Sequence, residues 1–287
     1  MTLSLTIETV PCFKDNLSYL VLLPDCDSAS QNCPNAVNAI AIDPGEAPPF
    51  IHALDQLQKK FGRPVHLAAV IATHHHQDHI GGLHDLPSVP TWTSQRDRNR
   101  VTPAGQEGAV MALDEQHTYT WKDITGKSAA IPCEINVLKI PGHTEGQIAI
   151  QFKAGPDSNL FVGDTLFSFG CGRCLEGTPE QLFASLQKIM SLHPETRLYF
   201  GHEYTLRNIA FWIEMKRRFP SETVNLVNEE GMTSLAHSLN PRNQLPKFDG
   251  LCVRQAPRLR DEMALNPFLK IKNATDFRRW RLRRNDF

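Results

Sequence analysis

The sequence predicts a layered α/β protein, and three observations carry that expectation. Short apolar runs recur along the chain, five of them end on a histidine or aspartate, and helical spacing appears between and after them. A layered fold presents its loops along one edge of its sheets, so residues that close successive strands are candidates for one shared rim. In chain order NAIAIDPG ends in Asp43, LAAVIATH in His74, INVLKIPGH in His143, NLFVGD in Asp164 and RLYFGH in His202. Five strand ends are therefore expected at that rim.

Each element has its own warrant. The opening MTLSLTIETVPCF alternates apolar and polar residues and has no basic leader, so it predicts a first strand and not an export signal. CDSASQNCPN, from Cys26 to Asn35, and TPAGQEGA, from Thr102 to Ala109, predict loops. GTPEQLFASLQKIMSLH predicts a helix with Thr178 as N-cap, Pro179 at the first position and Gln181 completing a capping box; Leu182, Leu186 and Ile189 share its apolar face. His193-Pro194 should stop it. After His202 the character changes. EYTLRNIAFWIEMKRRF spaces Leu206, Ile209, Ala210 and Ile213 as one helical face, ATDFRRWRLRRNDF predicts a short arginine-rich helix, and no strand is expected between. This divides the chain into residues 1–202 and a helical appendage, 203–287.

Composition sets bounds. With 287 residues and 41% hydrophobic content the chain can bury a proper core. No run approaches a membrane span, and seven cysteines without an export signal point to free thiols in the cytoplasm. The net charge of -1 hides an asymmetry: 16 Lys and Arg face 10 Asp and Glu from Glu203 onward, against 14 and 21 before it. The last third is basic, which suits a small anion, a nucleic acid or a solvated face.

The densest chemistry is THHHQDH, residues 73–79. Imidazoles crowded at the mouth of a buried strand repel one another when protonated and need partners when neutral; a cation resolves both. On an extended segment His74 and His76 point one way and His75 the other, so His75 reads as structural. Asp78 and His79 follow, where Gly81-Gly82 predicts a turn into a helix. Two ligand groups result, and imidazole with carboxylate suits zinc first, iron or manganese also.

T-H-x-H-x-D-H, followed by PGHT at His143, GDT at Asp164 and GHEY at His202, resembles the five-part pattern of the metallo-β-lactamase superfamily. DNLSYLV, AIDPGE, THHHQDHIGG, PGHTEGQI, VGDTLFSFGCGR, GHEYT and NPFLK resemble glyoxalase II, the hydroxyacylglutathione hydrolases, from the first strand to the end of the chain. The resemblance implies a four-layer αββα sandwich with a C-terminal helical domain. It also implies two divalent metal ions: His74, His76 and His143 on one, Asp78, His79 and His202 on the other, Asp164 bridging, and Asp43 behind the ligand loop.

The implied reaction is hydrolysis of S-D-lactoylglutathione or a related thioester by a hydroxide shared between the metals, with Asp78 and Asp164 as the carboxylates at the chemistry. A ligated Asp78 would be a poor base. Arg173, Tyr204, Arg281 and Arg284 match the residues that grip glutathione in that family, and Arg281 and Arg284 are spaced for one helix face. Leu175 stands where the family usually has an aromatic residue. Rival readings are a mononuclear-iron persulfide dioxygenase, a phosphodiesterase or nuclease on the same scaffold, and a nucleic-acid-binding protein using the arginine-rich end. The leading reading expects a small-molecule glutathione thioester as partner, no nucleic acid or membrane, and a monomer. Cys171 and Cys174 spell a lone C-x-x-C, read as two free thiols.

Overall fold

β1 (Thr6–Cys12) and β2 (Asn16–Pro24) form an antiparallel hairpin, and β2 is flanked on its other side by β3 (Val37–Ile42). Because β2 and β3 are covered on both faces, NLSYLVLL and VNAIAI are buried along their whole length, and continuous apolar runs are what such strands require. The structure, a computed structural model, describes residues 5–24, 36–101, 110–238, 247–248, 251–252 and 256–287. The loops expected at 26–35 and 102–109, and with them Cys26 and Cys33, lie outside the described residues.

Packing divides the chain into two compact units, residues 1–139 with 148–161 and residues 140–147 with 162–287. The expected boundary at residue 202 is a division by composition, so the two partitions record different things. In the first unit α1 (Ala47–Phe61) follows β3, starts on prolines and ends at Gly62, whose φ of 63° is the left-handed conformation that closes helices. It buries Phe50 and Leu57, each contributing about 1.5–3 kcal/mol. β4 (Val65–Ile71) runs parallel to β3 and leads to α2 (Gln77–Ile80), a single turn. β5 (Thr91–Ser94) and β6 (Val110–Leu113) complete a six-stranded sheet in the order β1-β2-β3-β4-β5-β6.

β7 (Tyr119–Thr120), α3 (Trp121–Thr125), β8 (Glu134–Lys139), β9 (Ile148–Ala154) and β10 (Asp157–Gly163) follow. β7 to β10 pair antiparallel in sequence order. The expected first strand and the expected strands leading to Asp43, His74, His143 and Asp164 are present as β1, β3, β4, β8 and β10.

The second unit carries the small hairpin β11 (Leu166–Phe167) and β12 (Gly170–Cys171), then α4 (Pro179–Met190). α4 has the expected Thr178–Gln181 capping box and buries Leu182, Leu186 and Ile189. After β13 (Arg197–Phe200) come α5 (Thr205–Arg218), α6 (Pro220–Thr223) and α7 (Glu229–Ser238). The expected apolar face of α5 is corrected: Leu206 and Ile213 are exposed, at 45% and 36%, while Asn208, Ile209, Phe211, Trp212 and Met215 are buried. Aromatic volume set the face. Trp212 packs on Phe268 at 5.0 Å and Trp280 at 5.3 Å and donates from Nε1 to Phe169 O at 3.0 Å.

Two short strands, β14 (Lys247–Phe248) and β15 (Leu251–Cys252), pair in a region expected to lack strands. The chain then closes with α8 (Leu259–Leu265), α9 (Pro267–Lys270) and α10 (Ala274–Asn285). Asn266 caps α9 while its Nδ2 donates to Phe167 O and Gly170 O, and buried Glu262 accepts from Ser168 Oγ and Phe169 N. The β11–β12 hairpin is thus held from roughly a hundred residues downstream, the spans being 93 to 99 residues.

Candidate metal and substrate site

In the first unit the ligand run begins where β4 ends. Thr73 N donates to Asp43 Oδ1 at 2.6 Å, Thr73 Oγ1 to Asp43 Oδ2 at 2.7 Å, and His79 Nδ1 lies 3.1 Å from the same Oδ2. Asp43 is 3% exposed and sits at φ 51°, a left-handed conformation that Asp tolerates better than most residues. Its carboxylate is already spent on three donors. Asp43, His74 and His79 place potential ligand atoms within 4.8 Å of one another, and of the three Asp43 is the one whose two oxygens already accept from Thr73 and face His79.

The tautomers follow from the partners. Thr73 gives its hydroxyl proton to Asp43, so towards His74 Nδ1, 3.1 Å away, it can only accept; His74 Nδ1 therefore carries the proton and Nε2 is bare. That Nε2 lies 3.0 Å from His76 Nδ1. Two nitrogens bound tetrahedrally to zinc at about 2.0–2.1 Å would be about 3.3 Å apart. The pair fits a metal. Asp43 likewise fixes Nδ1–H of His79, so Nε2 points away from Asp43 and lies 3.7 Å from Asp78 Oδ2. Asp78 is held by Asn16, whose Nδ2 donates to its Oδ2 at 2.9 Å and its backbone O at 3.1 Å.

Gly81-Gly82 does not turn the chain into a helix, because α2 already begins at Gln77 with Asp78 and His79 inside it. The glycines serve close approach. A Cβ on Gly81 would lie 2.8 Å from Gly45 O, and one on Gly82 would lie 2.6 Å from the Glu46 carbonyl carbon. His75 faces buried Asp97, its Nδ1 3.1 Å from Oδ1.

The second unit holds His143, Asp164 and His202, all buried. His143 Nδ1 is 2.7 Å from the Arg173 carbonyl, an acceptor only, so Nδ1 is protonated and Nε2 is bare. His143 Nε2 lies 3.5 Å and His202 Nε2 3.3 Å from one atom, Asp164 Oδ2. One carboxylate oxygen thus lies within 3.5 Å of two imidazole nitrogens. Gly142, at φ 147°, lets the PGH loop approach α4, where a Cβ would meet Leu182 Cα at 2.6 Å. Tyr204 stacks on His202 at 4.8 Å with the rings 6° apart.

Of the arginines, Arg173 is exposed, whereas Arg281 is 5% exposed and donates to Cys171 O at 2.8 Å and Asn285 Oδ1 at 2.6 Å. Arg284 donates to Asn208 Oδ1 at 3.2 Å. Desolvation by burial, then the charges of Arg281 and Arg207, push Arg284 down to about 10. Arg278, Arg279 and Arg283 on the same helix pair with Glu180 and Glu222, so α10 divides its cations between acidic neighbours and neutral oxygens.

Cys171 and Cys174 are free thiols, with Cys171 pushed up to about 11 chiefly by burial. Sequence reasoning missed the support roles of Asn16, Asp97, Asn208 and Glu262 and the position of Arg207. Only Asn266, an Asn-Pro pair at a helix start, carried a readable signal.

Residues 38–202 match the family model described as the metallo-beta-lactamase superfamily. Among curated proteins, a hydroxyacylglutathione hydrolase of Bdellovibrio bacteriovorus is 32% identical over 283 residues, covering 97% of each chain. One from Vibrio campbellii is 35% identical over 276 residues, covering 94% of this chain and 88% of its own. Among solved structures, a metallo-beta-lactamase from Staphylococcus aureus superposes with a TM-score of 0.60 at 16% identity, covering 96% of this chain and 66% of that one. ETHE1 from Myxococcus xanthus gives 0.56 at 19%, covering 96% and 90%. These two likenesses establish the fold, mixed α/β sheets with helices and further helices at the C-terminal end. Fold and His/Asp clusters together suggest a dinuclear metal site. Identity this high over nearly the whole length, together with a superfamily match through residue 202, makes the chain a member of the metallo-β-lactamase superfamily and, within it, of the hydroxyacylglutathione hydrolases.

Proposed function

We propose that this chain hydrolyses 2-hydroxyacyl thioesters of glutathione, S-D-lactoylglutathione first, releasing the hydroxy acid and the thiol. His74, His76 and His143 would hold one divalent metal ion, Asp78, His79 and His202 a second, and Asp164 both. Zinc is the first candidate for each, with iron or manganese as alternatives. The observation that carries the reading is Asp164 Oδ2 lying 3.5 Å and 3.3 Å from nitrogens that belong to the two different proposed sets. When bound, a metal pair of this kind brings the pKa of a coordinated water from 15.7 to about 7 and polarises a carbonyl oxygen.

The remaining work falls to the protein's own side chains. Asp78 and Asp164, as ligands, surrender their basicity and act by holding charge in place. Asp43 keeps His79 and Thr73 oriented, so the nitrogens on offer need no rearrangement. The thiolate leaving group is a weak base, so no residue is required to protonate it as it departs. Recognition is assigned to Arg173, Tyr204 and Arg284, whose donors suit the carboxylates and amides of a glutathione-like carrier. Arg281, bonded to the Cys171 carbonyl, supports the turn that bears Arg173 and contributes charge behind it.

The test is thiol release from S-D-lactoylglutathione by metal-replete protein, run beside a phosphodiester and, with oxygen uptake, glutathione persulfide. Hydrolysis of the thioester with about two metal equivalents per chain is expected. Turnover of the phosphodiester alone, or oxygen consumption on the persulfide with a single iron, would replace this reading.

A further inference from the structure

His75 stands between two proposed ligands and is turned away from both. Its Nδ1 lies 3.1 Å from Asp97 Oδ1, with the His75 side chain 10% and the Asp97 side chain 0% exposed. Its ring meets that of His76 edge-on at 5.0 Å and that of His74 at 6.4 Å. Asp97 itself is fixed. Its N–H donates to Ser94 O at 3.2 Å and Ser94 Oγ at 3.1 Å, and its carbonyl accepts from Arg100 N at 2.8 Å and Val101 N at 3.0 Å. Ser94 ends β5, which pairs with β4, the strand that delivers the histidines, and Ala72 N donates to Trp92 O at 2.8 Å. Asp97 is therefore tied to the same sheet edge as the ligand run, by a route that does not pass through the ligands.

A carboxylate wholly out of water is unfavourable without a partner, and the His75 imidazole, 3.1 Å from Oδ1 though not aligned as a hydrogen bond, is placed to be that partner. Three consecutive histidines also present a choice, since a metal could take His75 in place of either neighbour. We propose that Asp97 is a positioning residue: by holding His75 it fixes the backbone in which His74 and His76 offer nitrogens 3.0 Å apart, and it withholds the third imidazole from the metal. The inference rests on the reading that His74 and His76 bind a metal, and it assigns no contact with substrate to Asp97 or His75.

The experiment measures Zn2+ affinity by competition with a chromogenic chelator, and the visible spectrum of the Co2+-loaded protein, with folding checked by circular dichroism. Asp97→Ala should bind Zn2+ about 10–100-fold more weakly, the usual cost of losing a partner behind a ligand, and its cobalt bands should shift as His75 enters the coordination. Asp97→Asn keeps an acceptor and His75→Gln keeps a donor, so both should stay within about threefold of wild type with unchanged bands. Wild-type affinity and bands in Asp97→Ala overturn the proposal, as does a loss in Asp97→Asn and His75→Gln equal to that in Asp97→Ala. If Asp97→Ala does not fold, His75→Ala takes its place: Zn2+ binding about tenfold weaker than in His75→Gln supports the proposal, and wild-type binding in His75→Ala overturns it. A wild-type chain that holds neither ion defeats the metal reading as well, whereas wild-type binding with an unmoved Asp97→Ala defeats this inference alone.

Discussion

The proposed ligands of the two units are built by opposite means. In the first unit four candidates lie within six residues, and Asp43 alone orients the run at both Thr73 and His79. In the second unit His143, Asp164 and His202 come from three separate strand ends, each with its own anchor: a backbone carbonyl for His143, the close packing of Gly172 on the backbone carbonyl of Asp164, and a stacked tyrosine for His202. A contiguous run lets one carboxylate, Asp43, bear on two of its points at once, so a single change there reaches more than one ligand. A dispersed set spreads that support and is vulnerable at the ligand its members share.

The largest effect should therefore fall on Asp164. Asp164→Ala is expected to lower kcat/KM by about 1,000-fold or more and to leave under one metal per chain by elemental analysis; two retained metals would mean the sets do not depend on it. Next comes Asp43→Asn, which keeps the shape and removes the charge. A loss of about 10–100-fold in metal affinity is expected, and an unchanged affinity would show that the run orients itself.

Smaller effects separate recognition from chemistry. Arg284→Ala should raise KM about tenfold with kcat nearly unchanged; a fall in kcat alone would move this arginine out of recognition. The smallest effect concerns the first unit's framework. Burial, with a smaller contribution from Glu134, pushes the Cys133 thiol up to about 12 from its ordinary value of 9.0. The folded state thus holds its proton more tightly, so stability is full below pH 9 and declines as pH rises from there towards about 12. Denaturant midpoints across that range should fall less in Cys133→Ala than in wild type.

Legibility followed the same contrast. THHHQDH could be read from seven letters, and the dispersed histidines and aspartate could be read because each closes an apolar run. What stayed hidden were partners whose role depends on a distant residue. Asn16 meets Asp78 across 62 positions, and although it sits in the legible motif DNLSYLV, nothing there names Asp78 as its partner. Asp97 looks like one more charge in SQRDRNR, although it is wholly buried. The face of α5 was misread because aliphatic spacing favoured Leu206 and Ile213, whereas Phe211 and Trp212 bury more area and Asn208 is drawn inward by its bond to Ser168 O at 2.9 Å. Gly81-Gly82 has a turn-like composition, but the backbone of Gly45 and Glu46 requires the missing side chains.

The bond from Arg281 to the carbonyl of Cys171 spans 110 residues. On the ribosome that carbonyl emerges long before its partner, so the turn that bears Arg173 and backs His143 is set late in synthesis. A protease that clipped the last helix would unfasten the turn behind His143 as well as remove cations, and so would weaken a proposed ligand and a proposed recognition element together.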